Sequence, residues 1–541
     1  MRLSWTSIAA IVFIAASVGL QWASGAFGVE FAGYTDEAGQ VVTGLMIRDY
    51  ILQGFPGTPV SFAESYYLHY PKIVFGMWPP LFHVSIALWT MVSNSRLWIL
   101  LLQAVAGGAV ATAIFKMIVP RQGIAMGFLG GLTFCVALMT LEAERIMMPD
   151  VLFAALAAMC SLSFARFLEQ GHRNDILAFG LFAGLSLATK GNAVSLALLP
   201  PLAVIFLRRW DLIRHSGVWT SALIAATIGL PWQLLMAGLQ RGTIPYEQLT
   251  GSVMAGNLIR YPMLFAEKAG PLLAVTAIIG IFLVLVKVAR GKADAMSAVQ
   301  LALAIGFFVS HCIVTFGPES RYYMQAMPPL IFLGMAAVSW IGHRFHAAYG
   351  ALALASVIAC GTALWSIGGG VPQKESWGMK EAAEFLLAQP NVAGSATLIS
   401  SRAVGESALI AEFAIHDADR PGFWVLRGTK SLSASSWYAL DYKPSFSSVG
   451  DVQQYLGKVP VRFLVLDDTP RDPAMEHHIQ LHKMVETEPS EWTEIGRFPK
   501  NQPTNVPSPS IRVFERALSV AKPTGLSIDL PRTLGRKLQS K

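Results

Sequence analysis

The sequence predicts a polytopic α-helical membrane protein of about eleven transmembrane helices that ends in a C-terminal soluble α/β domain. Three observations carry that prediction. The 541 residues are 53% hydrophobic and only 14% charged, against about 25% charged in a soluble globular chain. Apolar runs long enough for a bilayer core of about 30 Å recur from the N-terminus to about residue 370. Beyond that point the composition becomes that of a soluble domain. The expected organisation is a membrane part at 1–370 with a large first outer loop at 23–79, an α/β domain at 371–516, and a basic disordered tail at 517–541.

The first run, Leu3 to Leu20 behind Arg2, has no convincing small-x-small cleavage site before Phe27, so it reads as an uncleaved anchor rather than a signal peptide. Further spans are expected at 97–116, 123–141, 150–168, 176–189, 191–207, 217–239, 269–287, 296–316, 322–341 and 347–368. Pro79 to Val92 is only about 14 residues long, carries His83 and opens on two prolines, which suits an interfacial or re-entrant segment. Charge supports that choice. With Pro79 to Val92 not crossing and the N-terminus cytoplasmic, Lys116, Arg121, Arg166, Arg173, Arg208, Arg209, Arg214, Lys287, Arg290, Lys292 and Arg344 all fall on the cytoplasmic side. The net charge of +7 reflects these short loops and gives no reason to invoke nucleic acid. All four cysteines lie inside apolar runs, which leaves no disulfide framework to read.

This topology gathers the unusual polar residues on the outer face. In "YTDEAGQVVTGLMIRDYI", Thr35 is a suitable N-cap for a helix lying in the interface plane, with Asp36 and Glu37 in its first turn. Acids are favoured there by the helix dipole, which is one reading. Adjacent helical residues point about 100° apart, so in the other reading one acid faces a substrate while the second caps or pairs. Asp150 likewise opens a span after "LEAERIMMP", and an acid at that depth must be hydrated, paired or functional. Between them, "SYYLHYPKIVFGMWPPLFH" holds His69, Tyr70, Lys72, Trp78 and His83. Such rings either anchor the interface or form a sugar-stacking surface. Lys190 in "ATKGN" and Arg321 in "GPESRYY" are cations at the outer ends of apolar runs, suited to snorkelling or to gripping a phosphate headgroup. Glu319 and Tyr322 flank Arg321 and join His69, Tyr70, Trp78 and His83 as expected substrate-binding residues.

The order and spacing of "DE" after the first span, "HYP…PPLFH", "RIMMPD", "GLFAGLSLATKG" and "SRYYMQAMPPL" resemble the GT-C membrane glycosyltransferases over residues 3–345. The nearest branch is the dolichyl-phosphate-mannose protein mannosyltransferase and aminoarabinose transferase group. The resemblance implies a polyprenyl-phosphate-linked sugar donor, inverting transfer to a lipid, glycan or protein acceptor on the periplasmic side, and a place in the inner membrane. By motif position it makes Asp36, Glu37 and Asp150 catalytic, with Asp36 as acceptor base or orienting group. Lys190 and Arg321 fall where the family carries basic residues near lipid phosphate, and Lys72 is a further candidate. The chain departs from the aminoarabinose branch at "GMWPP", where Trp78 replaces a Lys before the proline, which argues against lipid A as acceptor. No cofactor is certain. A divalent cation held by Asp36 and Asp150 is possible chemistry, with no dense ligand motif to support it.

After Val371, "MKEAAEFLL", "SATLISS", "GESALIAEFAI", "GFWVLRG" and "VRFLVLDD" alternate helix and strand, and "EWTEIGRFP" with "SIRVFER" closes as a pair. This predicts a three-layer domain with a mainly parallel sheet. It has no GxGxxG or P-loop, so its expected role is to cover the outer mouth or recognise an acceptor. The rival class is a lipid-linked-sugar flippase or other transporter, which should place acids or broken helices midway along several spans. Here the acids cluster at one edge.

Overall fold

The computed structural model describes residues 4–539 except 75, 240–248, 314–318, 345–348, 435–441, 460, 470–474, 501–509, 518–526 and 531–535. α1 (Trp5–Ala23) starts at Ser4, whose Oγ accepts the Ser7 N–H at 3.1 Å. The outer loop then holds α2 (Glu37–Leu52) and α3 (Pro59–His69). α4 (Leu81–Trp89), at nine residues, is too short to cross a bilayer. α5 (Arg96–Gln122) runs to Gly123, whose φ of 87° suits glycine and turns the chain into α6 (Ile124–Val136). α6 bends by 61° into α7 (Leu138–Glu144). The helical part continues through α8 (Asp150–Gln170), α9 (Arg173–Leu187), α10 (Leu199–Leu207), α11 (Ser216–Leu239), α12 (Gly251–Ala269), α13 (Pro271–Ala289), α14 (Ala295–Ile313), α15 (Met327–Arg344) and α16 (Gly350–Ile367).

Among the described residues, eight helices are long and apolar enough to cross a membrane, or nine if the bent pair α6 and α7 counts as one span. The chain is a multi-pass membrane protein. The other two segments of the expected eleven, α9 and the shorter apolar stretch Gly191–Leu207, meet at a polar turn at Lys190 and fall below that length. The connection left between the expected spans at 217–239 and 269–287, which reads in the sequence as a long outer loop, is also corrected. From Thr250, whose Oγ1 accepts the Val253 N–H at 3.3 Å, it is the helix α12, with Asn257, Tyr261 and Phe265 buried on one face. Residues 240–248 of that loop lie outside the described set.

Close packing depends on residues without side chains. Gly107 of α5 makes room for the buried Glu144, whose Oε1 would lie 1.7 Å from a Cβ added there. Gly107→Ala is therefore expected to cost about 1–3 kcal/mol by overpacking, read as a lowered thermal unfolding temperature in detergent. An unchanged transition would show that Glu144 has other space.

The C-terminal region contains α17 (Met379–Leu387), α18 (Ala403–His416), α19 (Gly428–Ser431), α20 (Val449–Lys458) and α21 (Glu476–Thr487). Its strands are β1 (Ala396–Ser400), β2 (Trp424–Arg427), the short pair β3 (Ser433–Ala434) and β4 (Lys443–Pro444), β5 (Val461–Asp467), β6 (Trp492–Pro499) and β7 (Ser510–Arg516). The main sheet has the order β2-β1-β5-β7-β6. β1 pairs in parallel with β2 and β5, while β7 pairs antiparallel with β5 and β6, so the sheet is mixed rather than mainly parallel. Short hairpin-like returns favour antiparallel closure at the end of the chain. The period-2 alternation sorts the side chains into two layers. Leu398, Leu464 and Leu466 face α20 and α21, whereas Ile399 and Val465 face α17 and α18.

That second layer is one continuous core with the outer loop: Val41, Leu45 and Tyr66 pack in the same cluster as Ala383, Leu409 and Val465. α2 lies between α4 and α18. The wet polar face expected for α2 is thus covered, and Arg48 and Asp49 are buried as an ion pair at 2.7 Å. In the tail, β8 (Ser527–Leu530) pairs antiparallel with β9 (Arg536–Gln539), which corrects the expectation of uniform disorder. Two short strand-forming stretches flank a Pro- and Gly-containing linker there, a hairpin pattern outweighed in the sequence reading by the basic composition.

Candidate active site

The chain leaving α1 reaches α2 through Glu30, Gly33 and Tyr34, and the first two helical acids separate at once. Asp36, not Thr35, is the N-cap residue of α2, and its side chain makes no capping bond. Its Oδ1 is buried and has no hydrogen-bond partner among the described residues. Glu37 turns the other way. Its Oε2 accepts the Gly33 N–H at 2.7 Å, and its Oε1 accepts the Met147 N–H at 3.0 Å and the Lys374 ammonium at 2.9 Å. Fully buried, Glu37 ties α2 to the connection before α8 and to the C-terminal region. Glu37 is thus the acid of the two that pairs and does not line the Asp36 cavity, for the 100° step between helical neighbours turns it off that face.

Asp36 lines a cavity of about 90 Å³ together with Gln40, Trp78, Lys190, Arg321 and Tyr322. Gln40 lies one turn after Asp36 on the same face of α2. The Leu81 N–H donates to the Ala188 carbonyl at 2.8 Å, so the start of α4 is fixed to the turn that carries Lys190. Asp150, the first residue of α8 and 1% exposed, pairs through Oδ1 with the Lys190 ammonium. That ammonium also lies 4.6 Å from the Tyr322 ring centroid. Asp150 therefore orients a cation of the wall.

Arg321 is held on three sides. Its Nε donates to Glu319 Oε2 at 2.6 Å, and its guanidinium lies 3.8 Å from the Tyr34 ring and 4.7 Å from the Tyr322 ring. The Tyr34 hydroxyl donates to the other Glu319 oxygen at 2.9 Å. The Tyr322 carbonyl is in turn fixed by the Gln325 amide at 2.5 Å and by contact with His311 Nε2 at 2.6 Å. The result is a small chamber with two oriented cations and the Asp36 carboxylate, whose Oδ1 is without a partner among the described residues. Burial pushes the Asp36 carboxyl above the usual carboxylate range, and Lys72 and Arg321 pull against that rise while Glu319 adds to it.

Other expected residues are placed elsewhere. His69 stacks on Trp424 with centroids 3.9 Å apart and contacts the Phe423 carbonyl at 2.9 Å, while the Tyr70 hydroxyl donates to Asp417 Oδ2 at 2.6 Å. They join α3 to the C-terminal region instead of forming a sugar surface beside Asp36. His83 is 3% exposed and off the cavity wall, and burial pushes its imidazole down to about 4, so it is neutral. Lys72, 7% exposed, is also not on the wall. Among the described residues, no three His, Cys, Asp or Glu side chains are gathered as metal ligands. Of the two acids expected to hold a cation, Asp150 is bonded through Oδ1 to Lys190, while Asp150 Oδ2 and Asp36 Oδ1 are both buried without a hydrogen-bond partner among the described residues. Sequence reasoning missed Tyr34, Gln40 and the supports His311 and Gln325. Only Gln40 had a local signal, its four-residue spacing from Asp36.

Residues 78–234 match the family model described as dolichyl-phosphate-mannose-protein mannosyltransferase. That segment carries Trp78, Asp150 and Lys190. No curated protein sequence matches the chain. Among solved structures, ArnT from Cupriavidus metallidurans bound to undecaprenyl phosphate is similar at 14% identity with a TM-score of 0.58, covering 95% of this chain and 99% of that one. The archaeal oligosaccharyltransferase AglB from Archaeoglobus fulgidus, in complex with an inhibitory peptide and a dolichol-phosphate, is similar at 12% identity with a TM-score of 0.54, covering 86% of this chain and 69% of that one. At these identities the likeness is one of fold: over most of its length this chain shares the membrane architecture of ArnT and AglB.

Proposed function

We propose that the protein transfers a sugar from a polyprenyl-phosphate donor to an acceptor hydroxyl at the Asp36 cavity, on the extracytoplasmic face of the cytoplasmic membrane. The observation that carries this reading is that Asp36, whose buried Oδ1 has no hydrogen-bond partner among the described residues, lines the same cavity as the two oriented cations Lys190 and Arg321. The family description over residues 78–234 and the lipid phosphates bound by ArnT and AglB support the choice of donor class. The positive-inside pattern supports the side.

The chemistry follows from charge. The acceptor oxygen attacks C1 of the sugar, the bond from C1 to the phosphate oxygen breaks, and the polyprenyl phosphate leaves with the electron pair. The acceptor proton passes to Asp36, whose carboxyl is raised toward the operating pH, the range in which a general base works best. Lys190 and Arg321 neutralise the charge that grows on the leaving phosphate. Attack opposite the leaving group inverts C1. Trp78 and Gln40 offer the sugar a ring face and an amide. The acceptor is a lipid, a glycan or a protein.

Each of Lys190→Ala and Arg321→Ala removes one charge-assisted contact, worth about 1.5–3 kcal/mol. Either variant is expected to weaken undecaprenyl phosphate binding by about 10- to 100-fold, measured by equilibrium titration of the detergent-purified protein. Wild-type affinity in both would remove the phosphate site from this cavity.

A further inference from the structure

His311 lies behind the part of the wall that carries Arg321 and Tyr322. It stands in the last turn of α14 and is 2% exposed. Both of its ring nitrogens meet backbone carbonyls: Nδ1 lies 2.7 Å from the Phe307 oxygen one turn earlier, and Nε2 lies 2.6 Å from the Tyr322 oxygen. A neutral imidazole has one N–H and one lone pair. With the proton on Nε2, the Nδ1 lone pair would face the Phe307 oxygen; with the proton on Nδ1, the Nε2 lone pair would face the Tyr322 oxygen. Either tautomer sets two acceptors against each other at hydrogen-bond distance, and only the imidazolium donates to both. The Gln325 amide nitrogen, 2.5 Å from the same Tyr322 oxygen and 3.3 Å from His311 Nε2, fits a carbonyl that takes two donors. Tyr261 from α12 and Tyr323 from the turn Ser320–Ala326 close over the imidazole, with ring centroids at 5.1 and 5.6 Å.

We infer that His311 is a doubly protonated positioning residue for the donor phosphate: it holds the Tyr322 backbone in place and stands as a positive charge behind Lys190 and Arg321. The inference rests on the glycosyl-transfer reading for the phosphate, and on the two carbonyl contacts for the charge. A buried cation must be offset by its partners. His311 has two charge-assisted hydrogen bonds, and the last turn of a helix favours a cation because its carbonyls carry the negative end of the dipole. Against the charge stand burial and the Lys190 ammonium. Glu319 of the same wall, Arg260 of α12 and Cys312 act on the neighbouring Tyr261. An anion in the cavity that Lys190 and Arg321 line relieves the repulsion between Lys190 and His311. Phosphate binding and the second ring proton therefore support each other. Tyr322 is the link between them: its carbonyl is held by His311 from behind, and its hydroxyl accepts from Arg321 at 3.0 Å.

Two measurements on the full-length protein in detergent test this. The first is the nitrogen NMR spectrum of the histidine rings, with the His311 signals assigned as those absent from His311→Gln or His311→Lys. Two protonated ring nitrogens are expected at about pH 6. A single one at every pH at which the protein stays folded overturns the inference. The second is equilibrium binding of undecaprenyl phosphate as a function of pH. His311→Gln retains a donor for the Tyr322 carbonyl but no charge, and is expected to bind about fivefold or more weakly than wild type at about pH 6. The gap should close as rising pH takes the second proton from the wild-type ring. His311→Lys keeps a positive charge and is expected to stay within about twofold of wild type at the lower pH. Comparison at equal pH cancels the titration of the lipid phosphate itself, whose second pKa is about 6. Equal affinity of wild type and His311→Gln at every pH overturns the inference. So does a loss in His311→Gln that persists after the ring spectrum shows the second proton gone, which is what a purely structural role would give. If Lys190→Ala and Arg321→Ala bind normally while both ring nitrogens are protonated, the glycosyl-transfer reading fails and the imidazolium stands.

Discussion

Asp36→Asn is expected to lower sugar transfer by about 10²- to 10⁴-fold, the usual contribution of a positioned general base. The substitution keeps size and shape and removes the negative charge together with the ability to accept a proton. Asp36 makes no capping bond, and its buried Oδ1 has no hydrogen-bond partner among the described residues, so the substitution breaks no hydrogen bond seen there. The expected loss is therefore confined to turnover, with undecaprenyl phosphate binding and thermal unfolding close to wild type. Release of polyprenyl phosphate from a lipid-linked sugar in a detergent-solubilised assay measures the first, and titration and calorimetry the others. Activity within a few-fold of wild type would dismiss Asp36 as the base. An Asp36→Asn protein that no longer binds the lipid phosphate would instead mean that Asp36 organises the cation pair.

The parts of this molecule governed by local chemistry were legible in its sequence. Apolar runs located the spanning helices, and alternating Leu, Val and Ile located β1, β2 and β5, because burial on a helix or strand face leaves a period in the chain. Lys190, Arg321, Tyr322 and Trp78 were legible for the same reason: polar or aromatic groups at the ends of apolar runs must sit at an aqueous mouth. What escaped depended on partners far away in sequence. Nothing near Asp36 and Glu37 says which acid faces the cavity; Lys374 and the Met147 N–H decide it. His69 and Tyr70 looked like a sugar platform until Trp424 and Asp417, some 350 residues later, claimed them. α12 was masked by Arg260, Pro262 and Lys268, which read as a loop until its apolar side met the bundle. Asp150, an acid costly to hold at a helix start near a membrane, is bonded through Oδ1 to Lys190, a partner 40 residues away that its own neighbourhood does not announce, while its Oδ2 is buried without a partner among the described residues.

Breaking the pair of Glu37 and Lys374 is expected to have the largest effect on stability. Both side chains are almost wholly buried, at 0% and 1% exposure, and the ammonium sits 2.9 Å from the carboxylate. Lys374→Met leaves the carboxylate with only the Gly33 and Met147 N–H groups, in a place water cannot reach. Removing one partner of such a pair costs about 3–5 kcal/mol, whereas replacing both with neutral groups of like size costs far less. The single variant should therefore unfold at a clearly lower temperature, and Glu37→Gln added to Lys374→Met should recover most of the loss. If the single variant unfolds like wild type, the pair is too wet to matter, and the C-terminal region is joined to α2 by apolar contact alone. A loss that the double variant does not recover would mean that Glu37 acts mainly by fixing the Met147 and Gly33 backbone. The distinction bears on catalysis, because Gly33 precedes Tyr34, which stacks on Arg321, and Met147 precedes the turn into Asp150. In either case the acid next to Asp36 works by holding the two halves of the cavity wall at a fixed spacing, so its loss should lower turnover only as far as it loosens those halves.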